Sequence, residues 1–289
     1  MRFAIDIPNF GDFADPRVVA DLARRAEQAG WDGLFVWDHV THRKQLRRQI
    51  ADPWVVLTAA ALATTRIRLG TLITPVPRRR VPKLAREVTT LDRLSGGRMV
   101  LGVGLGAPIA DEFGSFGEST DPRELAARLD EGLEALTLLW SGDPVTFHGA
   151  HVHIDDVTFL PTPVQRPRVP IWVGGEWPAR RPMRRAARWD GAAPILVTEG
   201  DRKPVQPDPA TVREINDFLT EARAEAGISV RDPFDLVLCA MSPPSPAAAA
   251  DLAGSLEQAG ATWWAECDWN TLESAAPMLR RAEQGPPRG

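Results

Sequence analysis

The sequence predicts a (β/α)8 TIM barrel with a short insertion before its fifth strand. Three observations carry that expectation. Eight short runs rich in Val, Ile, Leu or aromatic residues are apolar throughout, as parallel strands covered on both faces must be. Each run is followed by a longer Ala/Arg/Glu/Leu stretch with helical spacing. The 289 residues suit one barrel, which takes roughly 250, plus an insertion. A doubly wound open sheet also alternates strands with helices, but it seldom needs eight uniform units.

The first unit pairs "RFAIDIP" (2–8) with a helix over 16–30. The second pairs "GLFVWD" (33–38) with a helix over 53–65, and the third "IRLGTLIT" (67–74) with 82–95. Strand 98–106, "RMVLGVGLG", leads to a helix over 122–141. The remaining pairs are 169–175 with 178–189, 192–198 with 209–226, 234–240 with 246–260, and 262–267 with 270–284. Helix starts are marked by Asp15-Pro16, Asp52-Pro53, Asp121-Pro122 and Asp208-Pro209, each a capping acceptor followed by proline at the first helical position. Gly30 and Gly260 fall just past helix ends, where a left-handed residue is needed. The whole chain, 1–289, reads as one domain, with the insertion at about 143–165 and a frayed tail at about 284–289.

Charge and composition remove several classes of function. Lys and Arg total 34 against 38 Asp and Glu, a net charge of −4 that disfavours a nucleic-acid partner. Two cysteines make no disulfide framework and fit a reducing cytoplasm. Asp6 interrupts the apolar start, so no secretory signal is read there, and the longest apolar run, 54–63, is far short of a membrane span.

Gly102-x-Gly104-x-x-Ala107 satisfies a loose dinucleotide fingerprint, but it lies in the fourth strand, and Pro108 delays the next helix. Glycines inside a strand instead let something approach the backbone closely. In a barrel of this kind chemistry sits at the C-terminal strand ends. There the sequence places Asn9 and Phe10, Asp38 and His39, Thr71 to Pro75, Gly104 and Gly106, Gly174 to Trp177, Thr198, Met241, and Glu266 to Asp268.

Six segments then point to a family: "AEQAGWDGLFVWDH" (26–39), "DPWVVLTAAALATTRIRLGTLIT" (52–74), "PKLAREVTTLDRLSGGRMVLGVGLG" (82–106), "FG" (116–117), "RLDEGLEALTLLW" (128–140) and "PVQRPRVPIWVGG" (163–175). Together they resemble the bacterial luciferase-like monooxygenases, a superfamily of flavin- and deazaflavin-dependent (β/α)8 oxidoreductases. The resemblance spans about two thirds of the chain, and "LDRLSGGR…LGVG" is its most specific block.

The resemblance implies a ring cofactor in the barrel mouth against the third strand's end, where relatives often have a non-prolyl cis peptide or bulge. Thr71, Leu72 and Ile73 would back that ring, and Gly104 and Gly106 would clear its edge. Arg128 matches a position that relatives use for the phosphate. Gly174, Gly175, Glu176 and Trp177 precede a helix N-terminus, whose free N–H groups suit an anion, with Arg180 and Arg181 beyond. His39 matches a histidine that relatives place beside the reactive face. Its ordinary pKa makes it the catalytic acid/base, with Asp38 as the orienting partner if the two side chains can meet.

The implied activity is oxidation of a small organic substrate with reduced FMN and O2, in a largely apolar pocket and with a separate flavin reductase. The alternatives are hydride transfer with coenzyme F420 and, further off, a non-catalytic flavin binder. Deazaflavin sugar-phosphate dehydrogenases of the family carry an acid where this chain has Ala107, and Asp111 and Glu112 come late to replace it. A homodimer through outer helices, the Ala-rich 53–65 among them, is also implied. Three other features read as structural: the His148, His151 and His153 group lacks a completing metal ligand, Cys239 and Cys267 read as packing, and Arg78-Arg79-Arg80 reads as a solvated loop.

Overall fold

The computed structural model describes residues 1–198, 200, 203–229 and 231–288. Eight parallel strands close into a barrel: β1 (Arg2–Ile7), β2 (Gly33–Val36), β3 (Arg68–Pro75), β4 (Met99–Gly104), β7 (Ile171–Trp177), β8 (Gly191–Leu196), β9 (Asp235–Ala240) and β10 (Trp263–Glu266). Between β4 and β7 lies an antiparallel hairpin, β5 (Pro144–His148) and β6 (His153–Thr158), at the place of the expected insertion. The outer helices are α1 (Pro16–Gln28), α2 (Pro53–Ala63), α3 (Val81–Ser95), α5 (Pro122–Leu139), α6 (Arg180–Ala186), α7 (Pro209–Glu225), α8 (Pro246–Gln258) and α9 (Ala275–Glu283). One short helix, α4 (Ile109–Glu112), was not anticipated. Among the described residues, no helix is long and apolar enough to cross a membrane.

The local signals work as their chemistry requires. Asp15, Asp52, Asp121 and Asp208 each accept backbone N–H bonds at the starts of α1, α2, α5 and α7. Each such cap is worth about 1 kcal/mol. Gly30 and Gly260 have φ of 92° and 110°. The last helix begins at Ala275 rather than near 270, because Ser274 supplies the cap. The tail expected to fray is tied down as far as Arg288, which pairs with Asp32 at 2.7 Å.

Side chains alternate across the barrel wall. Inward residues form a small cluster of Ala4, Phe35, Leu72, Val100, Trp172 and Trp263, among others, and outward residues join the larger core under the helices. Phe35, Trp172 and Trp263 meet with centroids 5.1–5.9 Å apart and plug the lumen. Rings of this size each bury roughly 150–250 Å², a gross gain of about 4–6 kcal/mol.

The "LDRLSGGR" block proves to be a structural joint at the barrel's N-terminal end. Asp92 is fully buried and accepts N–H bonds from Val164 and Gln165, which anchors the return from the hairpin. Gly96 ends α3 with φ of 68°. Arg98 then sends its guanidinium into the end of α2.

Candidate active site at the barrel mouth

After β2 the chain runs over the C-terminal mouth as a long loop, 37–52, before α2 begins. Asn9, fully buried, pins that loop: its amide donates to the carbonyls of His39 and Ala51 at 2.8 and 2.7 Å and accepts from His39 N–H at 3.2 Å. Asp38 and His39 leave the strand on opposite sides, so the two do not pair. Asp38 accepts from Thr74 Oγ1 at 2.9 Å, Arg78 at 2.5 Å and Arg79 at 2.7 and 2.8 Å. The side chains of Arg78 and Arg79 are only 9% and 17% exposed, so the loop expected to be solvated is instead built into the site. Two buried carboxylates need two cations, and this pair supplies them. Arg80 alone of the three is exposed.

The partner of His39 is Glu112, at the end of α4. Glu112 has no exposed surface, and its carboxylate meets His39 Nδ1 at 2.9 Å, the N–H groups of Val40 and Thr41 at 3.1 and 3.3 Å, and Arg78. Held by Arg78, the carboxylate only accepts, so Nδ1 carries the proton and Nε2 keeps its lone pair. Burial, reinforced by the Arg78 charge, lowers the His39 pKa to about 4, and the imidazole is neutral at pH 7. The contact is therefore a hydrogen bond from a neutral ring. His42 stacks on His39 at 4.5 Å and accepts from Arg48 at 2.7 Å; burial, His39 and Arg48 lower its pKa to about 3.

These shifts set a pH dependence. Both folded-state values lie below the ordinary 6.5, so the unfolded chain takes up protons that the native histidines refuse. Stability is full above about pH 6.5 and is lost as pH falls toward 4. His39 contributes a slope of about 1.4 kcal/mol per pH unit in that window. Urea unfolding at pH 5 and 7 should show the loss, and His39→Gln should reduce the slope by about one proton. An unchanged slope would remove His39 from this account.

The other expected site residues divide. Leu72 and Ile73 do face inward, Leu72 within the lumen cluster and Ile73 packed against it, where β3 shifts register against β4 between Thr71 and Thr74; the Leu72–Ile73 peptide is cis. Thr71 is fully buried and donates to the Gly102 carbonyl, so its side chain leaves the mouth. The glycines serve this irregular strand. A Cβ at Gly102 would sit 2.2 Å from Thr71 O, and one at Gly104 2.0 Å from Ile73 Cδ1. A Cβ at Gly174 would come within 2.8 Å of Ile73 Cγ2, and Gly106 has φ of 92° and would press a Cβ onto Pro75. These positions thus clear room for the chain's own Ile73.

Gly175 faces outward and admits Pro182 of α6, and Trp177 also faces outward, buried against Phe218 and under Arg180. Both leave the mouth for the helical layer, because they share the pleat that puts Val173 in the outer core. Glu176, on the opposite pleat and in register with Ile195, stays on the mouth side. Arg180 is engaged by Trp177, Phe218 and Glu214. Arg128, on α5, pairs with Glu124 at 2.6 Å, and its side chain is 38% exposed. Glu266 points outward to Ser242, Trp264 and α9's Arg281. His148 and His153 stack at 4.1 Å across the hairpin, while Cys239 and Cys267 are free thiols raised in pKa by burial.

Between the 37–52 loop and the Arg78–Arg79 turn lies a cleft of about 330 Å³. Asp38, His39, Ile50, Pro53 and both arginines are among its walls. The arrangement offers a neutral proton acceptor, a fixed tautomer, two paired cations and an apolar shelf at Leu72–Ile73.

The model of the luciferase-like monooxygenase family matches residues 4–263. Among curated relatives, F420-dependent glucose-6-phosphate dehydrogenase of Nakamurella multipartita is 34% identical over 194 residues, 64% of this chain and 55% of that protein. The Kineococcus radiotolerans counterpart is 33% identical over 56% of this chain and 48% of its own. The chain thus spans about half the length of the curated relatives it matches. Monooxygenase RslO1 from Streptomyces bottropensis superposes with a TM-score of 0.68 at 26% identity, covering 90% of this chain and 78% of that one. The F420-dependent tetrahydromethanopterin reductase from Methanopyrus kandleri gives 0.77 at 18% identity over 98% of both chains, a likeness of fold.

Proposed function

Because the chain belongs to the luciferase-like monooxygenase family, we propose that it is an oxidoreductase that binds a flavin-type ring at the barrel mouth and acts on a small organic molecule. Of the two ring cofactors, F420 suits the geometry best, and the reaction is hydride transfer. The observation that carries this reading is neutral His39, with Nδ1–H held by Glu112 and Nε2 left as a base. F420 held there would supply hydride chemistry, which leaves the protein one proton to move at the substrate oxygen. His39 Nε2 takes a hydroxyl proton as the substrate is oxidised and returns it in the reverse direction. Glu112 stabilises the imidazolium that forms, and Arg78 holds Glu112 in place. Asp38, tied to Arg78 and Arg79, organises the same wall from behind.

The ring has a fitting seat: the shelf of Leu72 and Ile73 is apolar, and Glu176 and Ile195 face it by the pleat. Thr71, Gly175 and Trp177 leave the group of ring- or phosphate-contacting residues, and Gly104, Gly106 and Gly174 act through Ile73 and Pro75. Arg128 spends only Nη2 on Glu124, and its buried Nε has no partner among the described residues, so it keeps donors for a phosphate. The dehydrogenases named among the relatives support F420, although Ala107 still argues against sugar phosphate as the substrate.

The FMN and O2 reading ranks second, supported by the likeness to RslO1 at 26% identity. Oxygen chemistry wants a dry apolar pocket, whereas this cleft is walled by Asp38, Arg78 and Arg79. That reading alone needs a reductase partner. Titrating the protein with FMN and F420, oxidised and reduced, while following its ten tryptophans discriminates between the two, with no tyrosine to interfere. Preferential binding of F420 is expected; preference for reduced FMN would replace hydride transfer with oxygenation.

A homodimer through α2 is part of the proposal. This helix is apolar all round, and Val55 and Leu62, seven residues apart on its outer stripe, are 59% and 72% exposed. Sedimentation should find a dimer that Leu62→Arg converts to monomer. A monomeric wild type would sink this interface.

A further inference from the structure

Below His39 lies a second acid that the mechanism has not used. Asp6 is on β1, one pleat above Ala4 of the lumen cluster, and it is 2% exposed. Its Oδ2 accepts the indole N–H of Trp37 at 2.9 Å and the weak thiol donor of Cys239 at 3.8 Å, and its Oδ1 has no partner. The titratable groups that face it are Cys239 of β9 and Cys267 just past β10. No cation does. The two buried arginines of the mouth, Arg78 and Arg79, are engaged by Asp38 and Glu112.

A carboxyl group removed from water without a cation keeps its proton. With Oδ2 already accepting from Trp37, that proton belongs on Oδ1. Trp37 in turn stands edge-on to three rings: His39 at 5.9 Å and 75°, Phe10 at 6.0 Å and 68°, and His42 at 6.5 Å and 89°. Among the described residues, the indole links the lumen acid to the aromatic group that frames the base.

We propose that Asp6 is a positioning residue of this site, an uncharged carboxylic acid that fixes the Trp37 indole beneath His39 and so sets the floor on which the ligand rests. Its positioning role rests on the mouth being the reaction site; its protonation state does not. Ionising Asp6 places an unpaired charge in the lumen, which draws water to the floor and releases the Trp37 packing. The protein at neutral pH then carries an acid holding its proton and a base lacking one, joined through one tryptophan.

Two measurements separate the parts. The first uses the protein without ligand. A protonated-carboxyl infrared band should be present at pH 7 and absent from Asp6→Asn. The tryptophan emission of wild type should shift with a midpoint near 8, the value to which burial pushes Asp6. Asp6→Asn should show no such shift, and Trp37→Phe should lose the shift but keep the infrared band. A missing band, or the same emission profile in wild type and Asp6→Asn, overturns the assignment.

The second follows affinity for F420 and FMN from pH 6 to 9. Wild type should weaken several-fold above pH 8, while Asp6→Asn stays flat. Parallel profiles would end the positioning role. If neither cofactor binds wild type at any pH, the reading of function fails, while the ligand-free titration still decides the state of Asp6.

Discussion

His39→Ala is expected to lower turnover by about 10²–10⁴-fold, the range that a positioned proton carrier supplies. Cofactor affinity should stay within a few-fold, because the shelf at Leu72 and Ile73 lies on another strand. The effect is large because nothing nearby substitutes. His42 stacks on His39, but its Nδ1 is already accepting from Arg48. Asp38 is turned away and neutralised by two arginines. Glu112→Gln should give a smaller loss of about 10–10²-fold, since an amide can still accept from Nδ1 but cannot stabilise the imidazolium with a full charge. Steady-state rates and tryptophan quenching, measured side by side, check both. Turnover of His39→Ala within threefold of wild type would remove the acid/base assignment, and a parallel loss of cofactor binding would make the residue structural.

The contrast between Asp38 and Glu112 shows which parts of the site could be read beforehand. Helix starts were legible, since an Asp-Pro pair caps a helix through bonds that close within three residues. The strands were legible because an inner strand of a barrel is apolar on both faces. His39 was legible as the end of such a strand. Its partner was not, because Glu112 is 73 residues away and arrives through a four-residue helix with no periodicity to announce it. A usable signal did exist: the loop after β4 must also rise from the mouth, so its acids share that space.

Arg78 and Arg79 were misread for a related reason. A run of arginines is usually solvated, and only the two buried carboxylates reverse that expectation. The glycines of β4 mark a second boundary. Sequence shows that small residues are required, but only the Leu72–Ile73 irregularity shows that the chain's own Ile73 fills the space. Pleat direction decided the fate of Trp177 and Gly175, and a single register position determines which of two neighbours sees the mouth.

The other large effect lies at the opposite end of the barrel, and it concerns Arg98. Replacing it with methionine should destabilise the fold by about 3–5 kcal/mol, as removing one side of a buried charged network does. Arg98 is 9% exposed, and all of its donor nitrogens are engaged. Nε donates to Ser95 O at 2.8 Å; Nη1 reaches Thr64 Oγ1 and Ile67 O at 2.9 and 3.0 Å; Nη2 reaches Ala61 O and Thr64 O, both at 3.0 Å. Among the described residues, no carboxylate pairs with it. What holds the charge is the C-terminal end of α2, where unpaired carbonyls and the helix dipole favour a cation. That helix lacks the glycine that ends α3, and Thr64 follows it in extended geometry. The guanidinium therefore does the work of a C-cap from the residue that precedes β4.

Methionine fills the volume but leaves four buried carbonyls without donors. The thermal midpoint should drop by roughly 5–8 °C for a chain of this length. Arg98→Lys should fall between, since an ammonium has three donors and cannot span both rows of carbonyls. Because this joint lies across the barrel from His39, cofactor affinity at low temperature should be unchanged in both variants. A methionine variant within about 1 kcal/mol of wild type would mean that the end of α2 finds water or another donor, and that the capping account is wrong.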